Sequence, residues 1–505
     1  MKREVQPALK SYFFGEGYVD LWHTIKDSFI NLKDKGLWFI QCVPNVWYGI
    51  PYRILSLLAM IPVVPFSVVG MLSVFIFGTL TVALLSLYHI IILLSVMLIV
   101  YVVFSVVWIS DRIYLKVKKI SSVCPSCKQK FLIPYYQCSS CGRIHTRLTP
   151  GVYGIFFRTC DCGQKLPATF LTGRGKGATS ICPHCKIVLA EGVHNVGRRP
   201  ICIPVVGGRS SGKTAYLTAF THGFTNTLAN DNGWTISDYD TEAKFRMQEL
   251  LSSYNHGITQ QTDTTSSIQG KTVSSVPVSF IVSGKKFHPE REFHIYDIAG
   301  ETFRSNTDVE KAHQYGYCHG IVFIIDPFAI PDVLDKYGDK LSEDKTTENT
   351  KSDVDLEDLI TAFFGRMKMI VGMEDKELFN IPLAIVINKI DAAGLMDELG
   401  PAAINAEVHQ RNGEVNYMDA EDYLCRKFLT ENGARHILKM LTNRFKVNRC
   451  FACSAIGHTA GRTYQPIGVM DPMKWILCRE DRVFNSTWNK DDEFTNTPFA
   501  ENEFD

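Results

Sequence analysis

Apolar residues are concentrated in one long stretch near the beginning of the chain. From Ile54 to Ser110 the sequence contains no Asp, Glu, Lys or Arg. A helix that crosses a bilayer needs about 20 apolar residues, so this run is long enough for two membrane spans. We predict spans at Leu57–Val82 and Ile90–Trp108, joined by a turn at Leu87–His89. Some residues in the first predicted span favour kinks, namely Pro62, Pro65, Gly70 and Gly78.

The charges that flank residues 54–110 predict their orientation in a membrane. Basic residues lie on both sides of the run, whereas the predicted turn contains none. The flanking basic residues are Lys26, Lys33, Lys35, Arg53, Arg112, Lys116, Lys118 and Lys119. Because Lys and Arg stay on the cytoplasmic side, we expect a two-helix hairpin with both termini in the cytoplasm. Residues 1–53 are rich in Trp and Tyr, which favour the membrane surface. This segment is either a helix lying on the membrane or an ordinary folded segment.

Shorter apolar runs in the second half of the chain predict buried β-strands. Ile201–Val206 and Ile381–Ile387 are continuous and rich in β-branched residues, as in strands of a parallel sheet. The stretch REFHIYDIAG alternates up to Asp297, and NRCFACSAIG contains a last strand before Ser454. We therefore predict an α/β domain over 199–482, with a mostly parallel sheet, helices on both faces and a ligand at the carboxyl ends of the strands. Residues 483–505 form a polar tail.

A glycine-rich loop follows the first of these strands. Its sequence, GGRSSGKT, fits the pattern G-x-x-x-x-G-K-T, in which backbone N–H groups and the start of the next helix surround phosphate groups. Lys213 is predicted to reach the β- and γ-phosphates, and Thr214 is predicted to bind magnesium. The predicted phosphate-binding residues are Gly207, Gly208, Ser210, Ser211, Gly212, Lys213 and Thr214.

Two later strand ends carry residues that complete a nucleotide site. Asp297 can hold magnesium through water, and the N–H of Gly300 can meet a γ-phosphate. The stretch IPLAIVINKIDAAG places three residues at a strand end: Asn388, Lys389 and Asp391. A carboxylate such as Asp391 can accept both N1–H and the N2 amino group of guanine, which adenine cannot offer. Lys389 can lay its aliphatic stem over the base, and a backbone N–H at Ser454–Ala455 can meet the guanine O6.

Cysteines in four short motifs lie between the apolar run and the α/β domain. The motifs are Cys124 with Cys127, Cys138 with Cys141, Cys160 with Cys162, and Cys182 with Cys185. Cys-x-x-Cys motifs can direct four thiolates at a tetrahedral zinc, and such closed sites are structural. Disulfides are disfavoured because a segment facing the cytosol is kept reduced. We predict about two zinc ions in a ribbon module over 120–198, the first two motifs sharing one ion and the last two the other. An interleaved pairing, first motif with third, is left open.

At this point the chain resembles the translation-factor-related class of P-loop GTPases, which includes Ras-like proteins. The resemblance covers roughly residues 199–480 and implies that GTP or GDP is the ligand. The stretches GIFFRTCDCGQKLPATFLTGRG and VVGGRSSGKT make it similar, more narrowly, to the bacterial double-GTPase group. Members of that group can carry membrane helices and zinc ribbons, are usually encoded beside a second GTPase and are proposed to act in conflict or defence. The resemblance therefore implies a bacterial inner membrane and a partner GTPase or other activating protein.

The sequence departs from the Ras-like pattern at the positions that control hydrolysis. Glu301 stands where Ras-like proteins have the glutamine that orients the attacking water. Arg209 in the phosphate loop is a candidate arginine finger in cis; it could equally block a partner's finger or face solvent. Arg304 is a weaker candidate. The magnesium-binding threonine of the first switch is assigned to Thr262, with Thr264 as the second choice.

Charge and composition limit the remaining possibilities. The formal net charge is +1, so no nucleic-acid partner is expected. The sequence predicts a GTP-hydrolysing switch anchored in a lipid bilayer, with Lys213, Glu301 and Arg209 as its catalytic residues. The alternative is a membrane-bound zinc-ribbon scaffold that binds GTP and barely hydrolyses it.

Overall fold

A computed structural model of the chain divides it into two compact units. The first unit comprises Met1–Lys116 and Tyr135–Thr179, and the second comprises Val117–Pro134 and Ser180–Asp505. The segment predicted as one ribbon module is thus divided between the two units. The residues that the structure describes are 7–176, 178–189, 197–257, 267–268, 271–272, 277–299, 316–343, 355–371, 379–411, 414–457 and 463–489.

The described chain contains α-helices and β-strands throughout. The helices are α1 Glu16–Gly49, α2 Arg53–Val117, α3 Lys213–His222, α4 Ala229–Asp231, α5 Thr241–His256, α6 Pro331–Glu343, α7 Leu356–Val371, α8 Met396–Leu399, α9 Pro401–Gln410, α10 Tyr417–Glu431, α11 Arg435–Thr442, α12 Met470–Glu480 and α13 Arg482–Trp488. The strands are β1 Ser122–Val123, β2 Lys130–Phe131, β3 Tyr135–Cys138, β4 Ile144–His145, β5 Phe157–Thr159, β6 Lys165–Pro167, β7 Ala178–Ile181, β8 Arg199–Gly207, β9 Thr235–Asp238, β10 Ser267–Ile268, β11 Lys271–Thr272, β12 Val278–Ser283, β13 Arg291–Ala299, β14 Ile321–Ile325, β15 Leu383–Ile387 and β16 Asn448–Ala452.

In the first unit, helices α1 and α2 pack side by side in opposite directions. Glycines on either helix face large side chains on the other, so the two backbones approach closely. The facing pairs are Gly17 with Leu93, Gly36 with Phe75, Phe39 with Gly70, and Leu32 with Gly78. Residues with higher numbers on α1 therefore contact residues with lower numbers on α2, as expected for an antiparallel pair of helices. A side chain at Gly70 or Gly78 would collide with α1, so these glycines allow the neighbouring helix to approach closely.

The apolar run forms one continuous helix, not the predicted pair of spans. Helix α2 passes through Leu87–His89 without a turn and includes Pro62 and Pro65. After Gly78 the run contains neither proline nor glycine, so nothing in its chemistry interrupts the helical hydrogen bonds. Of the described helices, α2 alone is long and apolar enough to cross a membrane. At about 1.5 Å per residue it is about 97 Å long, so a bilayer core about 30 Å thick would hold only part of it.

The end of α2 is joined to a small β-rich segment of the same unit. Antiparallel hairpins β3–β4 and β5–β6 form this segment. The carboxylate of Asp111 on α2 accepts a hydrogen bond from the N–H of Phe170 at 2.9 Å and pairs with Arg174, whose side chain is almost fully buried. The rings of Tyr114 and Phe170 lie 4.4 Å apart. These contacts fasten the β-rich segment to the last turns of the long helix.

The second unit is built on a seven-stranded sheet with the order β16-β15-β14-β8-β13-β12-β9. Strands β8, β13, β14, β15 and β16 are parallel, whereas β12 is antiparallel to both β13 and β9. Alternate residues of β8 enter separate hydrophobic cores. Ile203 and Val205 pack with residues of α3, α5, α12 and α13, while Cys202 and Val206 pack with residues of α6, α7, α10 and α11. The predicted α/β fold, with a mostly parallel sheet and helices on both faces, is confirmed.

Helix α10 protects the outer edge of this sheet at β16. Asp422 accepts a hydrogen bond from the N–H of Cys450 at 2.7 Å, and Glu421 accepts one from the N–H of Ala452 at 2.9 Å. Burial raises the pKa of Glu421 well above its usual value. Edge strands otherwise present unpaired backbone groups to other chains. These two carboxylates hold in place the strand that leads to Ser454.

Candidate nucleotide-binding site and metal centres

The phosphate loop connects β8 to α3 through a tight turn. Ser210 and Gly212 adopt left-handed backbone angles, with φ of 58° and 89°. The hydroxyl of Ser211 donates a hydrogen bond to the carbonyl of Gly208 at 2.9 Å. A side chain at Gly207 would lie 2.7 Å from the carbonyl oxygen of Ile324 on the neighbouring strand. Glycine at this position therefore allows the loop to begin directly beside β14.

Lys213 places its ammonium group inside this loop. The Nζ atom donates hydrogen bonds to the carbonyl of Gly207 at 3.0 Å and to that of Gly208 at 2.6 Å. The residue is buried, with 6% of its surface exposed. A buried positive charge surrounded by loop backbone suits a strongly anionic ligand, because electrostatic attraction grows as water is excluded. Lys213 thus has the position and the charge that a bound phosphate requires.

Two oxygen-bearing side chains meet beside the loop. The hydroxyl of Thr214 donates a hydrogen bond to Oδ2 of Asp297 at 2.8 Å. Asp297 on β13 pairs in parallel register with Val205 on β8, the strand that leads into the phosphate loop. This register brings the carboxylate of Asp297 close to the hydroxyl of Thr214. A hydroxyl and a carboxylate are hard oxygen ligands of the kind that magnesium takes together with phosphate oxygens. The donor set therefore fits magnesium, which would neutralise charge on the phosphates when bound.

Asn388 connects the phosphate loop to the far side of the site. Its Nδ2 donates a hydrogen bond to the carbonyl of Ser211 at 3.0 Å, and its Oδ1 accepts one from the N–H of Ala455 at 3.2 Å. Asp391 is held nearby, because its Oδ1 accepts a hydrogen bond from the hydroxyl of Ser454 at 2.5 Å. The residues predicted for the phosphates and those predicted for the base therefore form one connected site.

A comparison with protein-family models matches the part of the chain that carries most of this site. Residues 201–434 match the family model described as Double-GTPase 2. Residues 201–434 therefore belong to a P-loop GTPase domain of the double-GTPase group. The match ends before Ser454, so the last strand of the site lies beyond the matched residues.

Two solved structures resemble the chain only weakly. One is the Arl6 BBS3 small GTPase from Trypanosoma brucei with bound GppNp, at 11% identity over 56% of this chain and 99% of that chain, with a TM-score of 0.25. The other is sup35 complexed with GMPPNP, at 11% identity over 55% of this chain and 44% of that chain, with a TM-score of 0.22. We infer nothing further from scores this low. A search of the curated proteins finds no match.

Some predicted residues of the GTPase lie outside the described residues, whereas the catalytic candidates Lys213 and Arg209 lie inside them. Gly300, Glu301, Arg304, Thr262 and Thr264 fall outside. Arg209 is exposed on the phosphate loop, and Ser210 beside it is half-buried. The sequence reasoning missed Asp326, which contacts Lys389 from the end of β14. The sequence shows Asp326 as an acidic residue directly after a buried strand. It belongs to no recognisable motif, so the sequence alone did not indicate a function for it.

The eight cysteines that precede the GTPase domain form two clusters with nested pairing. Cys124 and Cys127 meet Cys182 and Cys185 in the second unit, while Cys138 and Cys141 meet Cys160 and Cys162 in the first. The predicted pairing is therefore wrong, and the interleaved alternative is wrong as well. The inner motifs lie on the hairpins β3–β4 and β5–β6, which follow each other along the chain. The outer motifs flank this segment and close on each other.

The geometry of both clusters fits zinc. The ligand atoms of each cluster all lie within 4.8 Å of one another, and the shortest Sγ–Sγ separations are 3.6 Å. Around a tetrahedral zinc with Zn–S distances of about 2.3 Å, neighbouring sulfur atoms lie about 3.8 Å apart. Burial raises the pKa of Cys124 and raises that of Cys160 to about 12. Since zinc binds thiolates, a bound cation would supply the charge that stabilises these buried groups.

The outer cysteine cluster packs directly on the GTPase sheet. Its buried residues form a small core with Ile281 of β12 and with Tyr239 and Ala243. The hydroxyl of Tyr317 donates a hydrogen bond to the carbonyl of Lys128 at 2.5 Å. The segment around Cys124 is therefore part of the compact GTPase unit and not a separate spacer.

Proposed function

We propose that this protein is a membrane-anchored GTPase switch. The observation that carries the proposal is the position of Asn388, which bonds to Ser211 in the phosphate loop and to the backbone N–H of Ala455. A nucleotide with its phosphates at Lys213 would then have its base beside Asp391. The family match supports the same ligand. A guanine base satisfies a carboxylate at this position, since it offers two adjacent N–H donors.

The chemistry proposed for the site is transfer of the γ-phosphoryl group of GTP to water. Lys213 would bind the β- and γ-phosphates, and Thr214 with Asp297 would hold magnesium, which supplies positive charge to the phosphates. Arg209, exposed on the loop, is the candidate for a stabilising charge in cis. Glu301 stands at the position that orients water in Ras-like proteins, and its negative charge is expected to make intrinsic hydrolysis slow. A partner GTPase could then supply the missing group.

Helix α2 is the proposed anchor in the membrane, which we take to be a bacterial inner membrane. The uncharged run 54–110 within it has a largely exposed apolar surface, which supports contact with lipid. Basic residues flank this run on both sides, as is usual where a span meets the membrane surface. The two cysteine clusters would each hold a structural zinc.

Nucleotide titration of the purified full-length protein in detergent tests this function. We expect binding of GTP and GDP and no competition by ATP. Asp391→Asn should shift preference from GTP to XTP, because the amide matches the changed edge of xanthine, while the exposed Asp397→Asn should leave preference unchanged. A variant at Asp391 that still prefers GTP would refute the assignment of the base site.

A single-turnover assay separates the switch from the scaffold alternative. We expect wild-type protein to convert bound GTP to GDP and phosphate, alone or faster with a partner GTPase. Tight GTP binding with no turnover under either condition would favour a zinc-ribbon scaffold that uses GTP only as a structural ligand.

A further inference from the structure

The ends of strands β14 and β15 are joined beside the proposed base site. Ile325 pairs with Ile387 in parallel register, and the N–H of Asn388 donates a hydrogen bond to the carbonyl of Ile325 at 3.0 Å. Asp326, the residue after Ile325, and Lys389, two residues after Ile387, therefore lie at the same edge of the sheet. This register places an acidic side chain next to the lysine that is predicted to cover the base.

The carboxylate of Asp326 divides its two oxygens between different partners. Oδ1 accepts a hydrogen bond from the N–H of Phe328 at 3.1 Å and so caps the 3-10 turn Pro327–Ala329. Oδ2 accepts a hydrogen bond from Nζ of Lys389 at 2.8 Å. The Asp326 side chain is fully buried, while that of Lys389 is 17% exposed. Because the turn fixes the carboxylate, Asp326 is a rigid anchor for the ammonium group.

Lys389 is constrained at its backbone as well. It adopts a left-handed conformation with φ of 60°, which non-glycine residues rarely do. One end of its side chain is therefore set by an unusual backbone angle and the other by an ion pair. A lysine stem that is held at both ends has few conformers left to lose when a flat base packs against it, which lowers the entropic cost of binding.

We propose that Asp326 is a positioning residue of the base site. It holds the Lys389 ammonium so that the aliphatic stem lies ready against the purine ring, and it thereby lengthens the residence time of the bound nucleotide. This inference rests on the proposed guanine-nucleotide function. Asp326 acts through Lys389 and touches no reacting atom, so its removal should change nucleotide release without removing a group that contacts the phosphates.

Dissociation of a fluorescent GDP analogue from the full-length protein tests the proposal. We expect Asp326→Asn to speed dissociation about tenfold, since it removes a charge-assisted hydrogen bond while keeping an oxygen acceptor for Phe328. Lys389→Met keeps the stem and removes the ammonium, so it should have a similar effect. The double variant should release GDP no faster than either single variant. Asp335→Asn, an exposed acid on α6, is the matched control and should release GDP at the wild-type rate.

The outcomes distinguish this inference from the proposed function. Wild-type protein that fails to bind guanine nucleotides would overturn both. Wild-type binding with unchanged release from Asp326→Asn, or effects that multiply in the double variant, would overturn the positioning role alone. If Asp326→Asn fails to fold, Lys389→Met and Lys389→Arg decide the question. Lys389→Arg should keep the slow release of GDP, because the arginine can still pair with Asp326. If Lys389→Met releases GDP at the wild-type rate, the proposal is refuted.

Discussion

The Sγ atom of Cys124 lies 3.6 Å from that of Cys185, although the two residues are 61 positions apart in the chain. Between them, Cys138 and Cys162 belong to a separate cluster in the other unit, with their Sγ atoms also 3.6 Å apart. The inner cluster is therefore enclosed in sequence by the outer one. Each cluster ties together its own unit, and loss of one should leave the other intact.

Zinc content should report this nested pairing directly. We expect two zinc ions per chain in wild-type protein and one in Cys124→Ser, because three thiolates leave a structural site incomplete. Adding Cys185→Ser should cause no further loss, whereas adding Cys141→Ser should remove the second zinc. Metal analysis of the purified full-length variants measures the zinc content of each. Cys42→Ser on α1 is the control and should keep two zinc ions. One zinc remaining in the Cys124/Cys141 double variant would contradict the pairing.

Acid should weaken the fold of the GTPase unit through Asp481. Its carboxylate accepts hydrogen bonds from Arg291 at 2.5 Å and Arg199 at 3.0 Å. Burial alone would raise the pKa of Asp481, but the hydrogen bond from Arg291 and the charges of both arginines outweigh it and lower the pKa. A lowered folded-state pKa contributes stability above the unfolded value, about 3.9, and that stability is lost as the pH falls through the folded-state pKa.

Asp481→Asn should therefore destabilise the protein by about 3–5 kcal/mol at pH 7, because it leaves two buried arginines without their counter-ion. The difference from wild type should shrink below about pH 4. Chemical denaturation of the full-length protein in detergent at both pH values measures this. Asp231→Asn, at an exposed position, should show no such loss. A variant as stable as wild type at pH 7 would show that the ion pairs contribute little.

Gly212 should be essential for nucleotide binding, for a reason beyond its backbone angle. A Cβ atom at Gly212 would collide with Nδ2 of Asn388, the atom that bonds to Ser211. Gly212→Ala should therefore displace Asn388 and lower GDP affinity by at least about tenfold. Gly233→Ala is a matched control, since Gly233 is also left-handed and has no atom within 4 Å of such a Cβ. Both variants incur the backbone cost of about 1–2 kcal/mol, but the control should bind GDP normally.

Arg209→Ala tests whether hydrolysis uses an arginine in cis. An arginine finger contributes about 10³–10⁵ in rate, so we expect single-turnover hydrolysis to slow by about 10³ or more with little change in GDP affinity. Arg482→Ala, an exposed arginine on α13, should hydrolyse GTP at the wild-type rate. An unchanged or faster rate in Arg209→Ala would mean that the arginine blocks the site or faces solvent, and that the stabilising charge comes from a second protein.

The residues of the proposed nucleotide site could be recognised from local patterns in the sequence. The motifs around Lys213, Asp297 and Asn388 each follow a run of apolar, β-branched residues, and such runs form parallel strands whichever fold contains them. The carboxyl ends of parallel strands share one edge of the sheet, so motifs far apart in sequence meet there. The local sequence patterns and this rule of sheet geometry were therefore sufficient to predict that the residues of the proposed site lie together.

Which distant segments become neighbours could be seen only in the folded chain. Every cysteine motif looks alike locally, so the partner of Cys124 depends on how residues 135–179 fold between the outer motifs. The run that contains Leu87–His89 forms one helix, and the alignment of that helix along α1 is a tertiary contact. Asp326 has no motif, and its contact with Lys389 arises from the register of two strand ends. Local sequence sets the shape and chemistry of each segment, but these contacts join residues far apart in the chain and exist only once the chain has folded.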